Sequence, residues 1–123
     1  MLRAAFIGID KHIDLRIRDL IGARRDAMAL WALFCDTLPD IDARLVIDAD
    51  ATAEGIRRAL DETLGAAGPD DTVILSFAGH GTPDHRVVAH DTVKDTLVET
   101  TISMEELASR FKQSRAKAVL FIL

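Results

Sequence analysis

His80 is the residue whose type and setting most suggest chemistry, because it stands between Gly79 and Gly81 directly after the apolar run 73–78. An imidazole is the side chain that most readily takes up and releases a proton near neutral pH. The flanking glycines allow the backbone to approach a bound substrate closely. This pattern predicts a buried strand that delivers a proton-transfer group into a glycine loop.

No nucleophile to partner this histidine is evident in the chain. Its one cysteine, Cys35, lies inside a segment predicted to be an amphipathic helix. Cysteine at such a position behaves far more often as a small hydrophobic residue than as a nucleophile. We therefore expect no catalytic role for Cys35.

The spacing of three histidines raises the question of a metal site. His80, His85 and His90 recur every five residues, close to Asp84 and Asp91. This spacing matches no zinc-binding pattern, and no EF-hand-like calcium loop is present. We expect neither a metal ion nor another cofactor.

The elements that position these residues follow from the periodicity of the apolar residues. Four short apolar runs are predicted to be buried strands: 4–9, 44–47, 72–78 and 117–123. Two segments with apolar residues at three- and four-residue spacing are predicted to be helices, 22–38 and 52–67, and the capping-box spacing at Ser103 predicts a third helix at 103–113. Thr52 is a candidate helix cap, and Ser103 and Glu106 have capping-box spacing. Residues 86–89 are predicted to form a small hairpin arm.

Apolar strands that alternate with amphipathic helices indicate an α/β fold, with a mainly parallel sheet covered by helices on both faces. In such sheets the functional crevice lies beyond the carboxyl ends of the strands, which is where 79–81 falls. A weaker alternative is a doubly wound binding or hydrolase domain that uses Asp10, at the end of the first strand. No Gly-rich phosphate loop accompanies Asp10, so nucleotide binding has little support.

Length and composition limit the classes of function. With 123 residues, 49% of them hydrophobic, the chain is long enough for one compact domain. Its 15 basic and 20 acidic residues give a net charge of −5 without a basic run, so a nucleic-acid surface is not expected. No run approaches the roughly 20 apolar residues that span a bilayer, and no secretion signal begins the chain. We expect a cytoplasmic protein that binds neither nucleic acid nor membrane.

Four segments, taken together, resemble the caspase-like cysteine peptidases and especially their metacaspase branch. They are Ala-Ala-Phe-Ile-Gly-Ile (4–9), Leu-Ile-Gly-Ala-Arg-Arg-Asp-Ala (20–27), Ser-Phe-Ala-Gly-His-Gly (76–81) and Ala-Val-Leu-Phe-Ile-Leu (118–123). The resemblance implies a three-layer sandwich and hydrolysis of peptide bonds in proteins by a Cys–His dyad. In that family the chain continues past the fourth strand into an Asp-x-Cys loop that carries the nucleophile, and this sequence ends before it.

By this resemblance, residues 1–123 form one large-subunit-like domain portion of a cysteine endopeptidase, incomplete at its C-terminus. The nucleophile would lie on a following or separate segment, and this chain alone would be inactive. Expected partners are a protein or peptide substrate and a C-terminal small-subunit segment or partner chain. The alternative is a cysteine-less regulatory or decoy module that binds a partner protease. Calcium activation is implied only by analogy with metacaspase relatives.

The resemblance also implies roles for individual residues. His80 would be the base and acid partner of the thiolate, and the Gly81 amide would stabilise the oxyanion. Asp26 matches the acid of a metacaspase Gly-x-x-x-Asp segment that lines a specificity pocket for Arg or Lys, and bidentate carboxylate–guanidinium pairing explains that choice. The alternative for Asp26 is a first-turn helix acid, which the helix dipole favours regardless of function.

Further positions bear on the substrate. Asp91 is predicted either to line the cleft or to order the loop beneath the histidine, and a plain turn aspartate is the alternative. True caspases, which cut after Asp, carry an arginine where this sequence has Leu20. Specificity for aspartate is therefore disfavoured, although the side chains of Arg16 and Arg18, in the preceding loop, could still reach the substrate. We expect cleavage after Arg or Lys.

Overall fold

The computed structural model describes all 123 residues. In chain order, its strands and helices are β1 (Leu2–Gly8), α1 (Ala23–Thr37), β2 (Asp42–Ile47), α2 (Ala53–Leu60), β3 (Thr72–Ala78), β4 (Val87–Val88), α3 (Leu97–Thr100), β5 (Thr101–Ile102), α4 (Met104–Gln113) and β6 (Ala118–Ile122). The four predicted strands and three predicted helices are all present. No helix has the length and hydrophobicity that crossing a membrane requires.

Four of the strands form one parallel sheet in the order β2-β1-β3-β6. β1 pairs with β2 on one side and with β3 on the other, and β3 pairs with β6. The predicted burial is wrong for the two edge strands, since β2 is half-buried and residues 118–120 of β6 are exposed. In the two central strands, residues 4–8 of β1 and 73–76 of β3 are buried. Such strands are apolar on both faces, which a parallel sheet requires when helices cover both sides. The predicted α/β fold is confirmed.

Helices cover the sheet on both faces. On one face, α1 packs its buried Ala27 against Phe6 and Ile74. On the other face, Ile56 of α2 and Leu107 of α4 belong to a cluster of 15 buried residues. Fully burying a side chain of this size contributes roughly 1.5–3 kcal/mol. The three layers leave the carboxyl ends of the strands as the open edge of the sheet.

Both predicted helix caps are confirmed. Thr52 Oγ1 accepts a hydrogen bond from the Gly55 amide at 3.0 Å, and Ser103 Oγ accepts one from the Glu106 amide at 3.1 Å. The Glu106 carboxylate does not complete a capping box, because it binds Arg57 Nη2 at 3.0 Å instead. This charge-assisted pair links α4 to α2.

Two segments differ from the sequence-based prediction. α2 ends at Leu60, and the chain continues through a π-helical turn at Asp61–Gly65 rather than as a regular helix to 67. The arm predicted at 86–89 forms only one antiparallel bridge within its own loop, between Gly81 and Val87. β4 pairs instead with β5, which follows α3. The loop after His80 is thereby attached to a distant part of the chain.

Gly8, the last residue of β1, lies under the start of α1. A Cβ atom added to Gly8 would stand 2.5 Å from the Ala23 carbonyl oxygen and 2.7 Å from Ala27 Cβ. Real side chains do not approach so closely, so a methyl group there would push the helix away from the strand. The glycine therefore permits the contact that places α1 on the sheet.

Gly8→Ala is expected to lower the free energy of unfolding by about 1–3 kcal/mol, because an added methyl group in a packed interior forces backbone shifts. Urea unfolding followed by circular dichroism measures the change. Gly65→Ala is the matched control, since the nearest atoms to a Cβ there lie at 3.9 and 4.0 Å. Equal stability of the two variants would contradict the close approach of β1 and α1.

Candidate active site

His80 lies just beyond the carboxyl end of β3, at the edge where the sequence predicts a crevice. Its Nε2 atom lies 2.6 Å from the carbonyl oxygen of Arg18, in the loop between β1 and α1. A carbonyl oxygen can only accept, so Nε2 carries the hydrogen and Nδ1 of the neutral ring keeps its lone pair. The Arg18 carbonyl therefore makes Nδ1 the basic nitrogen of His80.

Backbone hydrogen bonds hold the loop on both sides of the Gly81 amide. The His80 carbonyl accepts from the Val88 amide at 3.1 Å, and the Thr82 amide donates to the Arg86 carbonyl at 3.0 Å. The Gly81 amide itself donates to no group of the chain. An N–H that is fixed by its neighbours and still unpaired is suited to stabilise a developing oxyanion.

A cleft of about 490 Å³ opens beside these two residues. His80 and Gly81 line it together with Arg86 from the following turn and Leu123 after the end of β6. No carboxylate is among its lining side chains. The volume falls in the range of ordinary ligand sites, so the basic nitrogen and the unpaired amide share a cavity that a substrate can enter.

Two aspartates fasten the start of the loop that carries the Arg18 carbonyl. Asp48 Oδ1 accepts from the amides of Asp10 and Lys11 at 2.9 and 3.1 Å. Asp10 Oδ1 accepts in turn from the Ala23 amide at 2.8 Å. The Asp10 carboxylate, which the sequence offers as an alternative reactive group, thus caps the start of α1.

An ion-pair network fastens the middle of the same loop. Asp14 Oδ2 accepts from Arg16 Nη2 at 3.0 Å and from the Lys94 amide at 2.8 Å, and Arg16 Nη1 lies 2.8 Å from Asp95. Hydrogen bonds from Arg16 hold the pKa of Asp14 well below its usual range. Arg16 is therefore engaged in this network, whereas the Arg18 side chain is exposed and forms no ion pair.

His90 also holds this loop. Its Nδ1 atom donates to the Lys11 carbonyl at 2.7 Å, and its own carbonyl accepts from the Ile13 amide at 3.0 Å. His85 does not hold this loop: it is exposed in the turn after His80, with a φ of 63°, and lines the same cleft as His80. No three His, Cys, Asp or Glu side chains come together in an arrangement that could hold a metal ion.

The two aspartates predicted to bind substrate lie in different places. Asp26 is exposed in the first turn of α1, and its side chain forms no hydrogen bond or ion pair. Arg24, a potential competitor for that charge, lies 3.8 Å from Asp48 instead. Asp91 Oδ1 accepts from the Ala53 amide at 2.9 Å, at the start of α2. Neither aspartate lines the cleft beside His80, and their binding roles stay predictions.

Sequence reasoning missed His12, which lies buried against His80. The two rings are 5.3 Å apart between centroids and tilted by 45°. Neither ring nitrogen of His12 has a hydrogen-bond partner. Burial, together with the neighbouring His80, lowers the pKa of His12 below its ordinary value of 6.5. The only signal in the sequence is a histidine that closely follows a buried strand.

Comparison with known proteins assigns the family. The model of the caspase domain, peptidase C14, matches residues 1–123. The chain belongs to the caspase domain family. The resemblance of its four sequence segments to the caspase-like peptidases is thereby confirmed at the level of the family, whereas the metacaspase branch stays a prediction.

One solved structure with the same fold as this caspase domain is protein GSU0716 from Geobacter sulfurreducens. The TM-score is 0.77 at 19% sequence identity, and the match covers 98% of this chain and 48% of that one. The caspase domain described here thus spans about half the length of that protein. No curated protein matches the chain.

The burial of His12 implies that the stability of the caspase domain depends on pH. In the unfolded chain His12 binds a proton with its ordinary pKa of 6.5, whereas in the folded chain that pKa is lower. Below about pH 6.5 the unfolded state therefore binds more protons, and the free energy of unfolding falls as the pH is lowered.

His12→Phe is expected to reduce this dependence, because phenylalanine fills a similar space without binding a proton. The measurement is urea unfolding of both proteins at about pH 7 and pH 5, on either side of the ordinary histidine pKa. The loss of unfolding free energy between the two values should be smaller for the variant. An equal loss in both proteins would show that His12 is not held uncharged in the fold.

Proposed function

We propose that this caspase domain supplies the general base and the oxyanion donor of a cysteine endopeptidase, a hydrolase of peptide bonds in proteins. The observation that carries the proposal is the hydrogen bond from His80 Nε2 to the Arg18 carbonyl. This bond leaves Nδ1 as the basic nitrogen, beside a cleft that the unpaired Gly81 amide also lines.

The reaction uses His80 twice. Nδ1 takes the proton from a cysteine thiol, and the thiolate attacks the carbonyl carbon of the peptide bond. The Gly81 amide stabilises the oxyanion, and the protonated Nδ1 then gives its proton to the leaving amine. Nδ1 next takes a proton from water, whose oxygen displaces the thiolate from the acyl group, and the thiolate regains the proton.

The thiol in this proposal comes from a segment joined after Leu123 or from a separate small-subunit chain. Leu123 lines the same cleft as His80, which supports a nucleophile delivered from that end of β6. Cys35 is half-buried within α1 and does not line the cleft. On this proposal residues 1–123 are inactive by themselves.

Substrate selection by this site favours Arg or Lys before the cleaved bond. The Asp26 carboxylate is exposed and unpaired, so it is available to a guanidinium or ammonium group. Of the two arginines that could have served an acidic substrate, Arg16 is engaged by Asp14 and Asp95, which leaves only the Arg18 side chain free. Leu20 stands where caspases that cut after Asp carry an arginine.

His80→Ala in the full-length protein is expected to lower kcat/KM for a peptide substrate by about 10³-fold or more, because the proposed base and acid are removed together. Cleavage of a fluorogenic peptide measures the loss. Cys35→Ser is the control, and it is expected to leave kcat/KM unchanged. Retained turnover in His80→Ala would overturn the assignment of the base.

The alternative is a cysteine-less regulatory or decoy module that binds a partner protease. Intact-mass spectrometry of protein from its natural source separates the two functions. A cysteine-bearing segment, covalently joined or co-purifying, supports the peptidase. A chain without such a segment that inhibits or activates an added caspase-family protease supports the regulatory module instead.

Asp26→Asn tests the specificity. For a substrate with Arg before the cleaved bond, kcat/KM is expected to fall about 10- to 100-fold, the effect of losing a hydrogen-bonded ion pair. Asp36→Asn, also exposed on α1, is the matched control and should change little. Equal effects of the two substitutions would remove Asp26 from the specificity site.

A further inference from the structure

His12 lies in the loop after β1, and the proposed reaction does not use it. Its side chain is 0% exposed, and its ring centroid lies 5.3 Å from that of His80. Neither ring nitrogen has a hydrogen-bond partner. A buried and unpartnered polar ring therefore flanks the proposed base.

Packing alone does not account for a histidine at this position. Phenylalanine would fill a similar space without burying two polar nitrogens, and replacing an unpartnered buried polar group with an apolar one is often neutral or stabilising. Proteins tend to keep residues that are locally unfavourable for stability at functional sites. Because the His12 ring lies against His80, we expect the unpartnered ring to serve the proposed base.

The charged and titratable groups around His12 come from three loops. Asp19 Oδ1 lies 3.7 Å from His12 Nδ1, and Lys11 Nζ lies 3.3 Å from the other Asp19 oxygen. His80 and His90 approach from the loops after β3 and β4. Burial is the main cause that lowers the pKa of His12; His80 and His90 lower it further, and Asp19 opposes them only in part. His12 is therefore uncharged near neutral pH.

We propose that His12 is a positioning residue that keeps the His80 ring in its working orientation only while His12 is itself uncharged. The inference rests on the proposed function. The Arg18 carbonyl holds Nε2 of His80, and the His12 ring supports the flank of the same ring. A proton on His12 would bury a second positive charge beside the imidazolium that forms when the thiol is deprotonated, and the two charges would repel.

Steady-state kinetics of the full-length protein test whether the His12 ring positions His80. His12→Ala is expected to lower kcat about 10-fold or more with little change in KM, because a small displacement of the base slows the chemical step. His12→Phe is expected to keep the native kcat near neutral pH. Ile102→Val, in the core at β5, controls for a general loss of packing and should leave both constants unchanged. A native kcat in His12→Ala would overturn the proposal.

The pH dependence of kcat/KM distinguishes an effect of the charge on His12 from an effect of packing alone. In the native protein both the Cys–His pair and His12 must lose a proton, so kcat/KM is expected to fall by more than about tenfold per pH unit in acid. In His12→Phe the fall is expected to be about tenfold per unit, the slope for one proton. Acid limbs of equal steepness would overturn the dependence on the charge of His12.

Nitrogen-15 NMR of the histidine rings tests the positioning without turnover. Native His80 should show a single tautomer with hydrogen on Nε2, and His12→Ala should populate both tautomers. If the native protein hydrolyses no peptide but the His80 signals respond to His12→Ala, the proposed function fails and the positioning role stands. Unchanged His80 ring signals in His12→Ala would overturn the positioning role.

Discussion

The hydrogen bond from His80 to the Arg18 carbonyl joins residues that are 62 positions apart in the chain. It can form because β1 and β3 are adjacent parallel strands, so the loops that follow them leave the sheet at the same edge. The tautomer of His80, and with it the identity of the basic nitrogen, depends on this one contact. Most of the polar contacts around the candidate site hold the Arg18 loop, whereas the Gly81 amide and the His12 ring lie beside His80 itself.

The loop 9–22 has almost no regular structure, so its backbone polar groups need partners from elsewhere. Asp48, from the end of β2, binds two of its amides, and the His90 backbone and side chain bind two further groups. Asp14 ties the loop to the Lys94 amide. The working geometry of the site therefore rests on polar side chains and loop backbone around the sheet edge, more than on the apolar core below it.

The site also keeps a feature that works against stability. Burying a polar group without a partner costs about 1–3 kcal/mol, and His12 buries two such nitrogens. Gly8 has the opposite effect, since it lets α1 approach β1 and so fixes where the loop ends. Close packing of α1 on β1 and an unpartnered buried ring beside the base thus occur only a few residues apart in the chain.

Local patterns in the sequence determined the fold class, the strands, the helix caps at Thr52 and Ser103, and His80 as the residue to examine. This was possible because the spacing of apolar residues and helix capping depend on residues that are neighbours in the chain. These local patterns did not determine the π-helical turn after α2 or the partner of β4. Only the tertiary structure decided that Arg18 meets His80, that His12 is buried uncharged, and that Asp91 caps α2. Those contacts join residues far apart in the chain, and the packing of the whole sheet decides which loops share an edge.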